Sequence, residues 1–155
     1  MKEQRYRNPT PTVDTIIRKD SQILLVKRKK EPFKGYLVLP GGFVNEGERV
    51  EDAAKREAKE ETSLDIELAN ILGVYSEPNR DPRGHNMSTV FIGKLSQSND
   101  KVDAIAQDDA VAIKWVNIEE VDNTRFGFDH KKIISDYRKW IQSGGTYWSS
   151  KNGQS

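Results

Sequence analysis

The sequence predicts an α/β protein, a sandwich in which a mixed β-sheet lies between helices. Three observations lead to this fold class. Short apolar runs that favour strands come first, a helix rich in Ala, Glu, Lys and Arg follows, and further strands precede a final helix. With 155 residues and no segment typical of an interdomain linker, the chain has the size of one domain. We expect that domain to span residues 1–143, with residues 144–155 as a polar C-terminal tail.

The first strands are indicated by apolar and β-branched residues. Residues 13–18 and 23–27 are two such runs, and the polar residues 19–21 between them are typical of a hairpin turn. Residues 36–39 predict a third strand, which the Pro-Gly-Gly sequence at residues 40–42 should end.

The second half of the chain predicts three more strands and a helix. Residues 66–75, 87–95 and 110–116 are mostly apolar and should be extended. Between residues 129 and 143, large apolar side chains recur at the spacing that places them on one helical face. They are Ile133, Ile134, Tyr137, Trp140 and Ile141.

The composition argues against several functional classes. The chain has 25 basic and 24 acidic residues and a net charge of +1, so we expect no nucleic-acid or membrane partner. It has no Cys, which excludes a disulfide framework, a cysteine-bound zinc and a thiol nucleophile. No apolar run approaches the ~20 residues of a membrane span, and residues 1–8 are too polar for a signal peptide. We therefore expect a soluble, cytoplasmic protein.

The predicted helix over residues 49–62 carries acidic residues on the face that should be buried. It contains no Gly or Pro, and small apolar side chains form one stripe along it. These are Val50, Ala53, Ala54 and Ala58. Glu57 and Glu61 fall in the middle of this stripe, and Glu60 lies at its edge. Buried carboxylates repel one another by roughly several kcal/mol without a counter-charge, and Mg²⁺ or Mn²⁺ suits such hard oxygens. The helix therefore predicts a metal-dependent enzyme that acts on a phosphorylated substrate.

The segment that contains this helix resembles the signature of the Nudix hydrolases. That signature runs Gly, five residues, Glu, seven residues, Arg-Glu, an aliphatic residue, any residue, Glu-Glu, any residue, Gly and an aliphatic residue. The matching positions are Gly42, Glu48, Arg56, Glu57, Ala58, Glu60, Glu61 and Leu64. Ser63 departs from the pattern, because the family usually has Gly at this position. The resemblance implies the Nudix-type α/β/α sandwich with a mixed sheet.

Residues outside the signature resemble the ADP-ribose pyrophosphatase branch of that family. Arg-Asp-Pro-Arg-Gly-His at residues 80–85, Pro78, and Phe-Asp-His at residues 128–130 are typical of this branch. The resemblance implies hydrolysis of the diphosphate bond of ADP-ribose to AMP and ribose 5-phosphate, with Mg²⁺ or Mn²⁺ as the cofactor. It also suggests a homodimer.

The resemblance assigns metal ligands to the helix and to the glycines that precede it. Glu57, Glu60 and Glu61 would bind the cation, joined by a backbone carbonyl near Gly41 or Gly42. The carboxylates would hold the metal ion that bridges oxygens of the diphosphate and lowers the barrier to attack by water.

Other residues of the signature and of a loop outside it are candidates for catalysis. Arg56 could pair with Glu48 and orient the loop and the helix. The general base could be one of the signature glutamates, Asp108 or Asp109, with Glu77 as a third possibility. For the two aspartates, a structural role in a turn before the next strand is the alternative interpretation.

Substrate contacts are expected from the segment typical of the ADP-ribose pyrophosphatase branch. Arg80, Arg83 and His85 could bind phosphate or ribose, since a guanidinium group makes bidentate contacts to phosphate. An ion pair with Asp81 is the alternative for the arginines. His130 is interpreted as a residue that caps or packs at the start of the last helix.

Two alternative functions remain open. The first keeps the fold and changes the substrate to a nucleoside triphosphate, a dinucleotide or another sugar nucleotide. The second is a sensor that binds ADP-ribose without cleaving it, although the presence of all the signature glutamates favours an enzyme. The basic residues 27–30 are interpreted as a solvated strand end rather than a nucleic-acid site.

Overall fold

The computed structural model describes residues 6–99 and 110–151, which form one eight-stranded sheet with α-helices on both faces. The strands are β1 (Thr10–Lys19), β2 (Gln22–Arg28), β3 (Leu37–Val38), β4 (Gly41–Phe43), β5 (Ile66–Tyr75), β6 (Asn86–Leu95), β7 (Ala110–Asn117) and β8 (Tyr147–Trp148). The helices are α1 (Val50–Thr62) and α2 (His130–Ser143), with short 3₁₀ helices at Gln97–Asn99 and Ile118–Asn123. No helix in these described ranges is long and apolar enough to cross a membrane.

The sheet is mixed, as predicted. Its main path runs β3-β2-β1-β6-β5-β8, while β4 pairs with β1 and β7 pairs with β2. The β1–β6 and β5–β8 pairs are parallel, and the others are antiparallel. Because β1 lies between β4 and β6, Asp14 is paired with Gly41 on one side and with Val90 on the other.

The side chains of β1 point alternately to the two faces of the sheet, which explains why one helix packs on each face. Val13 packs with Ala53 and Ala54 of α1, whereas Ile16 packs with the apolar residues of α2. Successive side chains of a strand point to opposite faces, so both faces of β1 are buried. This arrangement confirms the predicted α/β/α sandwich.

Helix α1 ends where the Nudix signature usually has Gly. Ser63 adopts a left-handed conformation with φ of +65°, and its N–H donates to the Lys59 carbonyl at 2.9 Å. Glycine reaches this conformation without steric cost, whereas another residue pays roughly 1–2 kcal/mol. The helix therefore ends with the expected geometry, although serine occupies the position.

Two segments differ from the sequence-based expectations. The glycines after Pro40 do more than end a strand, because Gly41–Phe43 forms β4 and pairs with β1. Residues 144–155 are not wholly a polar tail, since Tyr147–Trp148 pairs with β5 and Tyr147 is buried. A Cβ on Gly73 would lie 1.7 Å from the Tyr147 carbonyl oxygen, so the absence of a side chain at Gly73 lets β8 approach.

The Tyr75→Phe variant tests the attachment of α2 to the sheet. The Tyr75 hydroxyl donates to Asp136 Oδ2 at 2.7 Å, and both side chains are buried. In the variant, Asp136 loses the hydrogen bond from Tyr75 but keeps the one that Lys132 Nζ donates at 3.1 Å. We expect the free energy of unfolding to fall by about 1–3 kcal/mol, measured by urea denaturation. An unchanged unfolding midpoint would contradict this assignment.

Candidate active site

A cavity of about 300 Å³ opens beside the glycine-containing strand β4. Its walls come from β1, β2, β4, the end of α1, the loop before β6 and the residues that lead into α2. These elements are distant in sequence and meet because β1 is central in the sheet. The cavity wall includes four of the residues predicted to be functional, namely Gly42, Glu61, Arg80 and Arg83.

The backbone of Gly41 and Gly42 lies directly against two glutamates of α1. A Cβ at Gly42 would be 2.5 Å from the carboxylate carbon of Glu57, so any larger residue would displace that side chain. The Gly41 N–H donates to Glu61 Oε2 at 3.2 Å. Helical spacing places Glu57 and Glu61 one turn apart on the same face. Glycine at these positions thus permits the close approach of β4 to the carboxylates.

The environment of the two glutamates disfavours their charged forms. Burial raises the pKa of Glu61 well above its ordinary value, and the nearby charge of Glu57 raises it further. Burial also raises the pKa of Glu57, although a hydrogen bond from Arg56 opposes this effect. A divalent cation would neutralise these oxygens, and hard oxygen donors match Mg²⁺ or Mn²⁺. The donor set therefore fits such an ion.

Arg56 connects the signature loop, β4 and α1. Its Nε and Nη2 donate to the two carboxylate oxygens of Glu48 at 2.7 and 3.0 Å. Its Nη1 donates to Glu57 Oε1 at 2.9 Å, and Nη2 donates to the Phe43 carbonyl at 2.9 Å. The hydrogen bonds from Arg56 lower the pKa of Glu48 to about 2. The Arg56–Glu48 pair that the sequence suggested is therefore present, and it holds the loop on the helix.

Glu60 occupies a different environment from the other signature glutamates. Its side chain is 58% exposed, and Arg56 Nη1 donates to its Oε2 at 3.2 Å. Within residues 6–99 and 110–151, no three acidic or histidine side chains are grouped as a metal site. The metal-ligand role of Glu60 stays a prediction.

The arginines predicted to bind substrate are paired with carboxylates. Arg80 is buried and makes a bidentate contact to Asp129 at 2.9 and 2.7 Å. Arg83 makes a bidentate contact to Asp81 at 3.1 and 2.8 Å, and Asn86 donates to the same carboxylate at 2.7 Å. The alternative interpretation, an ion pair with Asp81, is therefore correct for Arg83. Both arginines still line the cavity.

The remaining candidates lie away from the cavity or outside the described ranges. His85 is exposed, its Nε2 is 2.9 Å from the Ser76 carbonyl oxygen, and it is not part of the cavity wall. Glu77 is also exposed and outside the wall. Asp108 and Asp109 fall outside the described residues, so their suggested role as a general base stays a prediction.

Residues 27–30 are interpreted from the sequence as a solvated strand end, and all of them are exposed except Arg28. The four residues also line the cavity, which the sequence did not indicate. Arg28 is half-buried, its Nε donates to the Pro32 carbonyl at 2.6 Å, and its guanidinium lies 5.0 Å from the centre of the Phe128 ring. Arg83 lies 5.7 Å from the same ring. In the described parts of the chain, Arg28 forms no ion pair with a carboxylate. Burial lowers the pKa of Arg28, and Arg83 lowers it further.

Sequence reasoning also missed a buried polar cluster beneath the glycines. Asp14 Oδ2 accepts a hydrogen bond from the Ser88 hydroxyl at 2.6 Å. Asp14 Oδ1 lies 3.6 Å from His130 Nε2, and Oδ2 lies 3.7 Å from Arg80 Nη2. Burial raises the pKa of Asp14 despite these partners. An acidic residue inside the apolar strand 13–18 was the signal that could have indicated this cluster.

Comparisons with known proteins found relatives of similar sequence and fold. An ADP-ribose pyrophosphatase from Methanocaldococcus jannaschii is 48% identical over 139 residues, which cover 90% of this chain and 79% of that protein. The NUDIX domain of Shewanella oneidensis NrtR, solved in complex with ADP ribose, superposes with a TM-score of 0.74 and 26% identity. That alignment covers 88% of this chain and 90% of the NrtR domain.

A third relative is part of a larger protein. A bifunctional NMN adenylyltransferase/ADP ribose pyrophosphatase from Francisella tularensis, complexed with AMP and a Mn ion, superposes with a TM-score of 0.74 and 29% identity. The alignment covers 92% of this chain but 44% of that one, so this chain spans less than half of its length. The sequence profile of the NUDIX domain matches residues 8–137. With its signature helix packed against Gly41 and Gly42, this chain belongs to the NUDIX family.

Proposed function

We propose that this protein hydrolyses ADP-ribose to AMP and ribose 5-phosphate in a reaction that needs a divalent cation. The observation that carries the proposal is the pair of half-buried carboxylates, Glu57 and Glu61, beside a cavity with a cationic wall. The 48% identity to an ADP-ribose pyrophosphatase over 90% of the chain supports the choice of substrate. The substrate class is thus a nucleoside diphosphate linked to a sugar.

The reaction adds one water molecule across the diphosphate. The water oxygen attacks one phosphorus atom, the bridging P–O bond breaks, and the bridging oxygen leaves with the other phosphate. Glu57 and Glu61 would hold the cation together with a backbone carbonyl of Gly41 or Gly42, and Glu60 would complete the set from the helix edge. When bound, Mg²⁺, or Mn²⁺ in its place, would offset the negative charge that repels the water. The candidates for the proton acceptor are one of the signature glutamates, Asp108 and Asp109, with Glu77 as a further possibility.

The cationic wall supports binding of the diphosphate. Arg28 and Arg83 both lie beside the Phe128 ring, and Arg28 forms no ion pair in the described ranges. A guanidinium group without a carboxylate partner is free to make a bidentate contact to phosphate. We assign Arg28 to the diphosphate and a supporting role to Arg80, since two donors of Arg80 already bond to Asp129. We also propose that the protein forms a homodimer and is located in the cytoplasm.

The Glu61→Gln variant tests the enzymatic function. We expect the wild-type protein with Mg²⁺ to release AMP from ADP-ribose, and the variant to turn over about 100-fold more slowly. Loss of one carboxylate ligand weakens stabilisation of the transition state by roughly 3 kcal/mol, which corresponds to this factor. Chromatographic measurement of AMP gives the rates, and circular dichroism checks that both proteins are folded.

Glu51→Gln is the matched control, because Glu51 lies on the same helix outside the signature positions. This control should keep the wild-type rate. If ADP-ribose yields no AMP while another nucleoside diphosphate derivative or a nucleoside triphosphate is hydrolysed, the enzyme has a different substrate from the one proposed. Binding of ADP-ribose without release of any product would instead support the sensor.

Substitutions of Arg28 test the assignment of the diphosphate contact. Arg28→Gln removes the charge, and we expect the KM for ADP-ribose to rise roughly tenfold or more, the equivalent of one lost charged hydrogen bond. The KM of Arg28→Lys should lie between the values of the wild-type protein and of Arg28→Gln, because lysine keeps the charge without the bidentate geometry. Arg125→Gln is the control, since Arg125 also lies over an aromatic ring, that of Tyr36, but outside the cavity. An unchanged KM in Arg28→Gln would refute the assignment.

A further inference from the structure

We infer that His130 is a positioning residue for hydrolysis, because it holds the backbone that places the Gly41 amide against Glu61. This inference rests on the proposed function. His130 lines the cavity, but under this inference it acts through the backbone and not on the reacting groups. It acts through residues 39–42, which run from the end of β3 into β4 and contribute Leu39, Gly41 and Gly42 to the cavity wall.

The contact that carries the inference is a buried hydrogen bond between distant parts of the chain. The Leu39 N–H donates to His130 Nδ1 at 2.9 Å, and both residues are at most 3% exposed. His130 is the first residue of α2, so this bond joins the last helix to the strand that leads into the site. A buried N–H without a partner would be destabilising, and the imidazole supplies the acceptor.

The accepting role of Nδ1 determines where the imidazole proton lies. A nitrogen that accepts a hydrogen bond carries no proton, so the neutral ring must hold its proton on Nε2. Nε2 is 3.6 Å from the carboxylate oxygen Oδ1 of Asp14. A proton on Nε2 would therefore interact favourably with that carboxylate. Burial lowers the pKa of His130, which keeps the ring neutral. Asp14 therefore favours the tautomer that the Leu39 contact needs.

The segment after Leu39 transmits this constraint to the signature helix. Pro40 has no N–H, and its carbonyl accepts a hydrogen bond from the Thr15 N–H at 2.9 Å. The next backbone donor is the Gly41 N–H, which is bonded to Glu61 Oε2 at 3.2 Å. Successive backbone groups thus contact His130, Thr15 and Glu61 over three residues. A shift at Leu39 would move the Gly41 amide away from the carboxylate.

The matched variants His130→Asn and His130→Gln separate this role from simple packing. The Asn side-chain oxygen lies near the position of Nδ1 and can still accept the Leu39 N–H. The Gln side chain reaches the position of Nε2 and leaves that N–H without its acceptor. We expect His130→Asn to stay within about threefold of the wild-type kcat, and His130→Gln to lose roughly tenfold to 100-fold. The KM for ADP-ribose should change by less than about threefold in both.

Tyr75→Phe provides the control for an effect of stability alone. It removes a different buried hydrogen bond between the sheet and α2, and Tyr75 is not part of the cavity wall. We expect this variant to unfold at lower temperature with an unchanged kcat. Equal losses of kcat in the Asn and Gln variants, or no loss in Gln, would overturn the inference. A kcat that follows the unfolding temperature across all three variants would overturn it as well.

A measurement on the wild-type protein keeps the inference testable if a variant does not fold. Nitrogen-15 NMR of the His130 ring distinguishes the two tautomers directly, and this readout is independent of any activity. We expect the proton on Nε2 and a hydrogen-bonded Nδ1. A proton on Nδ1 would overturn the inference even if ADP-ribose is hydrolysed. Conversely, the expected tautomer together with no hydrolysis of ADP-ribose would count against the proposed function.

Discussion

The close packing of a two-glycine strand segment on two carboxylates is the constraint on which the rest of this site depends. Gly42 leaves no room for a Cβ beside Glu57, and the Gly41 amide donates to Glu61. The approach brings negative charge into a half-buried position, where burial raises the pKa of both glutamates. Such an arrangement requires that a positive charge or a bound proton compensates the negative charge. The surrounding residues can be understood by how they supply or position that charge.

Arginines around the cavity act in two distinct ways. Arg56 and Arg80 are held by bidentate contacts to Glu48 and Asp129, so their charges stabilise the structure of the site. Arg28 makes no such pair in the described chain and is oriented by the Pro32 carbonyl and the Phe128 ring. Paired guanidinium groups have few donors left for a ligand, whereas an unpaired group keeps them available. The same residue type therefore supports the architecture in one place and is suited to an anionic substrate in another.

Local patterns in the sequence predicted much of the fold and one side of the site. Helical spacing of Glu57 and Glu61, the position of Gly42 and the Arg56–Glu48 pair all follow from residues within one contiguous segment. The contributions of Arg28 and His130, and the partners of Asp14, could not be predicted, because they depend on the placement of β1 between β4 and β6 and on contacts between distant segments. Strand β8 was missed for a similar reason, since a two-residue strand has no periodicity and its pairing needs the space at Gly73. Spatial proximity of distant segments is the information that a single sequence lacks.

Calorimetric titration of Mg²⁺ at neutral pH, repeated in two buffers of different ionisation enthalpy, tests the central claim most directly. Because burial raises the pKa of Glu61, and a cation binds the deprotonated carboxylate, metal uptake should release protons to the buffer. The observed heat should therefore depend on the buffer, and the binding should be strongly weakened in Glu57→Gln and Glu61→Gln. Binding of equal strength in these variants, or no uptake of the ion by the wild-type protein, would contradict the account.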